Sequence, residues 1–134
     1  MTIALTEAQR AVQAAHRKAE ELGVRISAVV VDEAGLVIAL GRMDGAMGLS
    51  PQIAEGKAVA ASLLQRDGDA VATMNEQRSA FFQAVSGMAR VALVPGLGSL
   101  LVRRDGGAEG AIGVSGAKPE QDLECAQAAL TALA

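Results

Sequence analysis

The chain contains no tryptophan and no tyrosine, and Phe81 and Phe82 are its whole aromatic complement. Alanine, valine and leucine must therefore pack the core. Such side chains fill little volume each and let backbones come close together, so a buried position contributes less than it would in a core rich in large side chains. A small domain built this way is expected to bury further apolar surface by association, which points to a homo-oligomer.

Cysteine is nearly absent as well. Cys125 alone excludes an internal disulfide and a cysteine-based metal site, and it fits a reducing compartment. The opening MTIALTEAQRAV has no basic segment followed by an apolar one, and no long apolar run lacks a charge. The expectation is a cytoplasmic protein with no membrane partner. Positive charge is thin: 12 Lys and Arg against 15 Asp and Glu leave a formal charge of −3, and the basic residues are scattered. Nucleic-acid binding, which needs clustered cations to displace counterions, is excluded on that ground.

The 134 residues suit one domain spanning 1–134. Thr6-Glu7-Ala8-Gln9 has the form of a capping box, which starts a helix at Glu7 with Ala8, Val12, Ala15, Ala19 and Leu22 as its apolar stripe and Gly23 as its stop. Val24–Val31 and Leu36–Leu40 flank a glycine turn and read as a hairpin of two mostly buried strands. The glycine-rich run 42–48 is a loop. Ser50-Pro51 opens a second helix reaching about Gln65, with the serine accepting from free amides. A shorter helix over Ala70–Gln77 follows, then an ambiguous stretch over 78–88. Arg90–Val94, Ser99–Arg103 and Ala108–Val114 read as three short strands, and Pro119 begins the last helix. Two hairpin-like groups without long crossovers favour an antiparallel sheet covered by helices, an α+β fold.

Four strings in this order carry a family likeness: Val29-Val30-Val31-Asp32-Glu33-Ala34-Gly35, Arg42-Met43-Asp44-Gly45-Ala46, Ile53-Ala54-Glu55-Gly56-Lys57-Ala58, and Gly110-Ala111-Ile112-Gly113-Val114-Ser115-Gly116 followed by Gln121-Asp122. With the order of elements they make the chain resemble the GlcG/HbpS family, the haem-degrading or PduO C-terminal-like domains. The resemblance implies a profilin-like, five-stranded antiparallel sheet flanked by helices, assembly into dimers or larger rings, and binding of haem or a corrinoid. The acidic pair associated with iron in the HbpS branch is not reproduced around Glu55, where Gly56 and Ala58 stand.

Several residues carry chemistry. Arg42 and Asp44 lie in the glycine loop, where a guanidinium can grip a carboxylate or a haem propionate at two points, or the two can simply pair with each other. Lys57 projects from a helix otherwise lined by alanines into a partly apolar crevice, or snorkels. Ser115 and Gly116 lead into the last helix, whose free amides form an anion site with Gln121 and Asp122 in the first turn; they also serve as plain helix caps. A pocket bounded by this turn, Arg42 and Lys57 is the expected ligand site. His16, the single histidine, is the one strong axial ligand for haem iron, and the same residue also reads as an ordinary surface histidine.

Two functions of different class follow, with a purely structural assembly module as a third. One is a small-molecule-binding protein whose ligand is a small organic acid or haem. The other is a cofactor-independent isomerase, lyase or hydratase in which Lys57 or Asp122 moves a proton and Arg42 clamps a carboxylate.

Overall fold

The structure, a computed structural model, describes residues 2–134. Helix α1 (Leu5–Leu22) leads into the hairpin β1 (Ser27–Asp32) and β2 (Val37–Arg42). Three helices follow, α2 (Ser50–Leu64), α3 (Gly68–Gln77) and α4 (Ser79–Ser86). A second hairpin, β3 (Ser99–Arg104) and β4 (Gly107–Ser115), precedes α5 (Pro119–Thr131). The strands form one antiparallel sheet in the order β2-β1-β4-β3.

The α+β class holds, but the sheet has four strands among the described residues, not five. Arg90–Val94, expected as a strand, pairs with none. The Val94 amide donates to the Gly56 carbonyl of α2 and the Leu93 amide to Ser86 Oγ, so the segment lies extended across helices instead of along a strand edge. Pro95 keeps Val94 extended, and that conformation resembles a strand in sequence without requiring a partner.

Successive side chains of β1 point to opposite faces, and both faces are covered. Ala28 and Val30, with Ile112 and Val114 of β4, pack against the alanines of α1 and the Cys125–Ala126 turn of α5. Val29 and Val31, with Ala111 and Leu101, pack against Ala54, Ala58, Val59 and Ala61 of α2 and against Val71 and Phe82. The close approach expected of an alanine-rich core is visible at Gly113: a Cβ there would run into the Ala54 carbonyl oxygen and stand 2.9 Å from the Ala58 amide. Helix α2 sits directly on the β4 backbone because residue 113 has no side chain.

Three local expectations are corrected. Helix α1 begins at Leu5, two residues before the expected start at Glu7, because Glu7 reaches back to the Ala4 amide at 3.0 Å and also pairs with Arg104 of β3 at 3.0 Å. The bond from Ala4, and then Arg104, hold the Glu7 carboxyl below its ordinary range. Ser50 is the first residue of α2 and not an amide acceptor: its hydroxyl donates to the Met47 carbonyl at 2.6 Å and meets Ser27 Oγ at 2.8 Å. The second strand also differs from expectation, since β2 is a sheet edge with Val37 and Leu40 exposed. Gly23 ends α1 with φ of 71°, as its position after the stripe required.

Candidate functional site

The structure brings Lys57 and Asp122 together across the sheet. Lys57 belongs to α2 on one face and Asp122 to the first turn of α5 on the other. The Lys57 ammonium donates to Asp122 Oδ2 at 3.1 Å and to the Val114 carbonyl at 2.9 Å. The other carboxylate oxygen, Oδ1, accepts from the Ala117 amide at 3.0 Å. Both side chains are withdrawn from water, at 9% and 4% exposure, so they close on each other instead of lining an open pocket. Loss of hydration pushes the Asp122 carboxyl above its ordinary range, against the opposing pull of Lys57 and the Ala117 amide.

Gly98 completes this junction. A Cβ on it would stand 2.8 Å from the Val114 oxygen, 2.9 Å from Asp122 Cβ and 3.1 Å from Lys57 Nζ, and its φ of 108° is one that side-chain-bearing residues rarely adopt. The glycine was visible in the sequence only as a turn residue; its role depends on a contact made by two distant helices.

The remaining expected site residues gather less tightly. Ser115 of β4 lies opposite Ser27 of β1, which lies opposite Arg42 of β2, so the three share one row across the end of the sheet. Arg42 is exposed and donates to the Ala46 carbonyl at 3.1 Å, tying its loop, and does not pair with Asp44. Asp44 is exposed, and its backbone carbonyl accepts from Arg25. Gly116 turns at φ of 130° against the Arg25 carbonyl, where a Cβ would stand 2.6 Å away. Gln121 reaches back to the Lys118 amide at 3.1 Å, a helix cap that leaves its oxygen occupied.

His16 stands at a separate place. Its Nε2 lies 3.0 Å from the Gly41 carbonyl of β2. A carbonyl only accepts, so Nε2 carries the proton and the lone pair sits on Nδ1. Gly41 is the seat of the ring, because a Cβ there would stand 2.8 Å from His16 Cε1 and 2.9 Å from Val12 Cγ1. The ring borders an open groove of about 450 Å³ between α1 and β2, with Leu5, Val12, Ile38 and Leu40 along it. A glycine inside a strand is the sequence signal for such a close approach, and here it marks the histidine's seat.

Among the described residues no helix is long and apolar enough to cross a membrane. The family model for the haem-degrading protein HbpS-like matches residues 3–131. A 15.0 kDa protein from the dhaT–dhaS intergenic region of Citrobacter freundii is 36% identical over 129 residues, covering 96% of this chain and 90% of that protein. The crystal structure of HbpS superposes with a TM-score of 0.90 at 28% identity, covering all of this chain and 92% of the other. That of the PduOC–haem complex superposes with a TM-score of 0.87 at 26% identity, covering 98% and 95%. By the extent of these matches and the shared fold, the chain belongs to the HbpS-like haem-degrading protein family.

Proposed function

We propose that the protein binds a haem-type tetrapyrrole in the groove between α1 and β2, with His16 as axial ligand. The observation that carries this is the groove itself: an open trough with aliphatic side chains on its walls, Gln9 and Gln13 among its lining, and the chain's single imidazole at its border. The residues fit the group. Leu5, Val12, Ile38 and Leu40 offer apolar contact to one face of a flat macrocycle, and Leu5 and Leu40 are otherwise left in water at 54% and 40% exposure. The Gly41 carbonyl orients the ring and fixes its tautomer, as carbonyl partners do for metal-binding histidines. When bound, the tetrapyrrole supplies redox-active metal chemistry that the chain's own side chains lack.

The haem complex of the PduOC neighbour supports the same ligand class. Exposed Leu36, Val37 and Leu40 along the free edge of β2 support assembly into a homo-oligomer that covers this side. The test is an absorption titration with haemin, run on the protein and on His16→Ala, with light scattering before and after. A Soret band that sharpens in the protein and is lost in the variant is expected. An unchanged band in His16→Ala would remove His16 from the ligand set, and no band in either would end the tetrapyrrole reading.

A further inference from the structure

Helix α1 gives the groove a wall of a particular polarity. Gln9, Gln13 and His16 follow one another at intervals of four and then three residues, so they share one face of the helix, with Leu5 and Val12 on the same stripe. Both glutamines are exposed and line the groove. Among the described residues that line it there is no lysine, arginine, aspartate or glutamate.

The cations nearest in sequence are directed elsewhere. Arg10 follows Gln9 and Arg17 follows His16, and one step along a helix turns a side chain by about 100° around its axis. Arg42 follows Gly41, the seat of His16, and successive side chains of a strand leave on opposite faces. Its guanidinium is held by the Ala46 carbonyl at 3.1 Å. Apart from the imidazole, the polar part of the groove is therefore two primary carboxamides.

A carboxylate pressed against such a wall gives up hydration and meets no cation in return, which is costly. An amide or ester substituent gives up less, and a glutamine side chain offers it both a donor and an acceptor. We infer that Gln9 and Gln13 are specificity-determining residues of the groove, selecting a macrocycle with uncharged hydrogen-bonding substituents over one with carboxylates. The inference rests on the tetrapyrrole reading and adds a division of labour to it. His16 meets the metal, while the glutamines, about one and two turns before it, read the charge of the rim. Selection of this kind works by leaving the disfavoured group unpaired.

Haemin and its dimethyl ester differ in this respect alone, and both can be dissolved in one detergent solution. Their dissociation constants are measured by Soret titration on the parent chain and on Gln9→Arg, Gln13→Arg and Gln13→Glu. The ratio of the two constants is compared, so that effects on iron coordination cancel. Gln77→Arg is the control, the same exchange at an exposed position of α3, which packs on the opposite face of the sheet from α1.

Arginine at either groove position is expected to shift the ratio towards haemin by about twofold to fivefold, the size of an exposed ion pair, and added salt should remove the gain. Glutamate at position 13 should shift it the other way, and Gln77→Arg should leave it unchanged. The inference is overturned if the ratio is the same in every protein. It is overturned equally if Gln77→Arg moves the ratio as far as Gln13→Arg does, because net charge alone would then account for the shift. In both of those cases the Soret band of the parent chain persists and the tetrapyrrole reading stands. Absence of a band with either compound in the parent chain ends that reading and this inference together.

Discussion

Lys57 Nζ on one face of the sheet lies 3.1 Å from Asp122 Oδ2 on the other, and the bond passes beside the Gly98 backbone at the β3 edge. The pair fastens α2 to α5 around the sheet, and its energy depends on both members being present. Replacing Lys57 with methionine leaves a carboxyl group in a dry site. At neutral pH this is expected to cost about 3–5 kcal/mol, whereas Lys57→Met with Asp122→Leu together should cost clearly less, because no buried charge remains. Urea unfolding of the two variants measures the difference. A single-variant cost below about 1 kcal/mol would mean that the pair behaves as a solvent-screened surface bridge.

The same site has a defined pH dependence. The folded Asp122 carboxyl binds its proton more tightly than the ordinary value of 3.8, chiefly through desolvation. Its contribution to stability is therefore fully present below 3.8 and is lost as pH rises through the higher folded value. Lys57 opposes that loss. In Lys57→Met the fall in stability from acid to neutral pH should be steeper than in the unmodified chain, and it should disappear when Asp122→Leu is added. Unfolding free energies measured across that range decide this, and parallel curves for the first two proteins would refute it.

What the sequence revealed follows from how local each signal is. Gly23 after an apolar stripe, Pro119 before an amphipathic segment and the two glycine turns are written in neighbouring residues, and the stop of α1, the start of α5 and both hairpin turns formed where expected. The pairing partner of Arg90–Val94 is not written there, because an extended segment ending at a proline reads alike whether it joins a sheet or crosses a helix. Lys57 and Asp122 were separately visible as residues with chemistry, 65 positions apart, but their contact is created by the sheet order. The seat of His16 was hidden for the same reason: Gly41 is 25 residues away and reads as a weak strand position until α1 is laid on β2.

Close approach of α2 to β4 at Gly113 makes a second stability prediction. An added methyl group would collide with the Ala54 carbonyl and the Ala58 amide, which belong to helix backbone and cannot swing aside. Gly113→Ala is expected to destabilise by about 1–3 kcal/mol through overpacking. Gly107→Ala, where a Cβ meets nothing within 4 Å, should stay within about 0.5 kcal/mol of the parent. Equal unfolding midpoints for the two variants would show that α2 can move off the sheet freely.

Cys125 is wholly buried, and desolvation together with the nearby Asp122 pushes its thiol up to about 11. The thiolate, which is the reactive form, is scarce at physiological pH, and no reagent reaches it in the folded chain. Ellman's reagent at mildly alkaline pH should therefore react only as fast as the protein unfolds, and at full speed in urea. A fast native reaction would mean that the α5 side of the core opens readily.

The seat of His16 supplies the last prediction, and it separates ring position from ring chemistry. Gly41→Ala keeps the imidazole but places a methyl group 2.8 Å from Cε1, forcing the ring off the Gly41 carbonyl. If that carbonyl orients the ligand nitrogen, the variant should bind haemin roughly tenfold more weakly or worse, in line with the effect of losing a partner that orients a metal ligand. His16→Ala should lose the axial ligand altogether, so its Soret band should differ in position as well as in midpoint. Haemin titration of both variants at matched oligomeric state resolves the two effects. Unaltered affinity in Gly41→Ala would show that the ring is free to find its own position in the groove and that the strand glycine serves packing against Val12 alone.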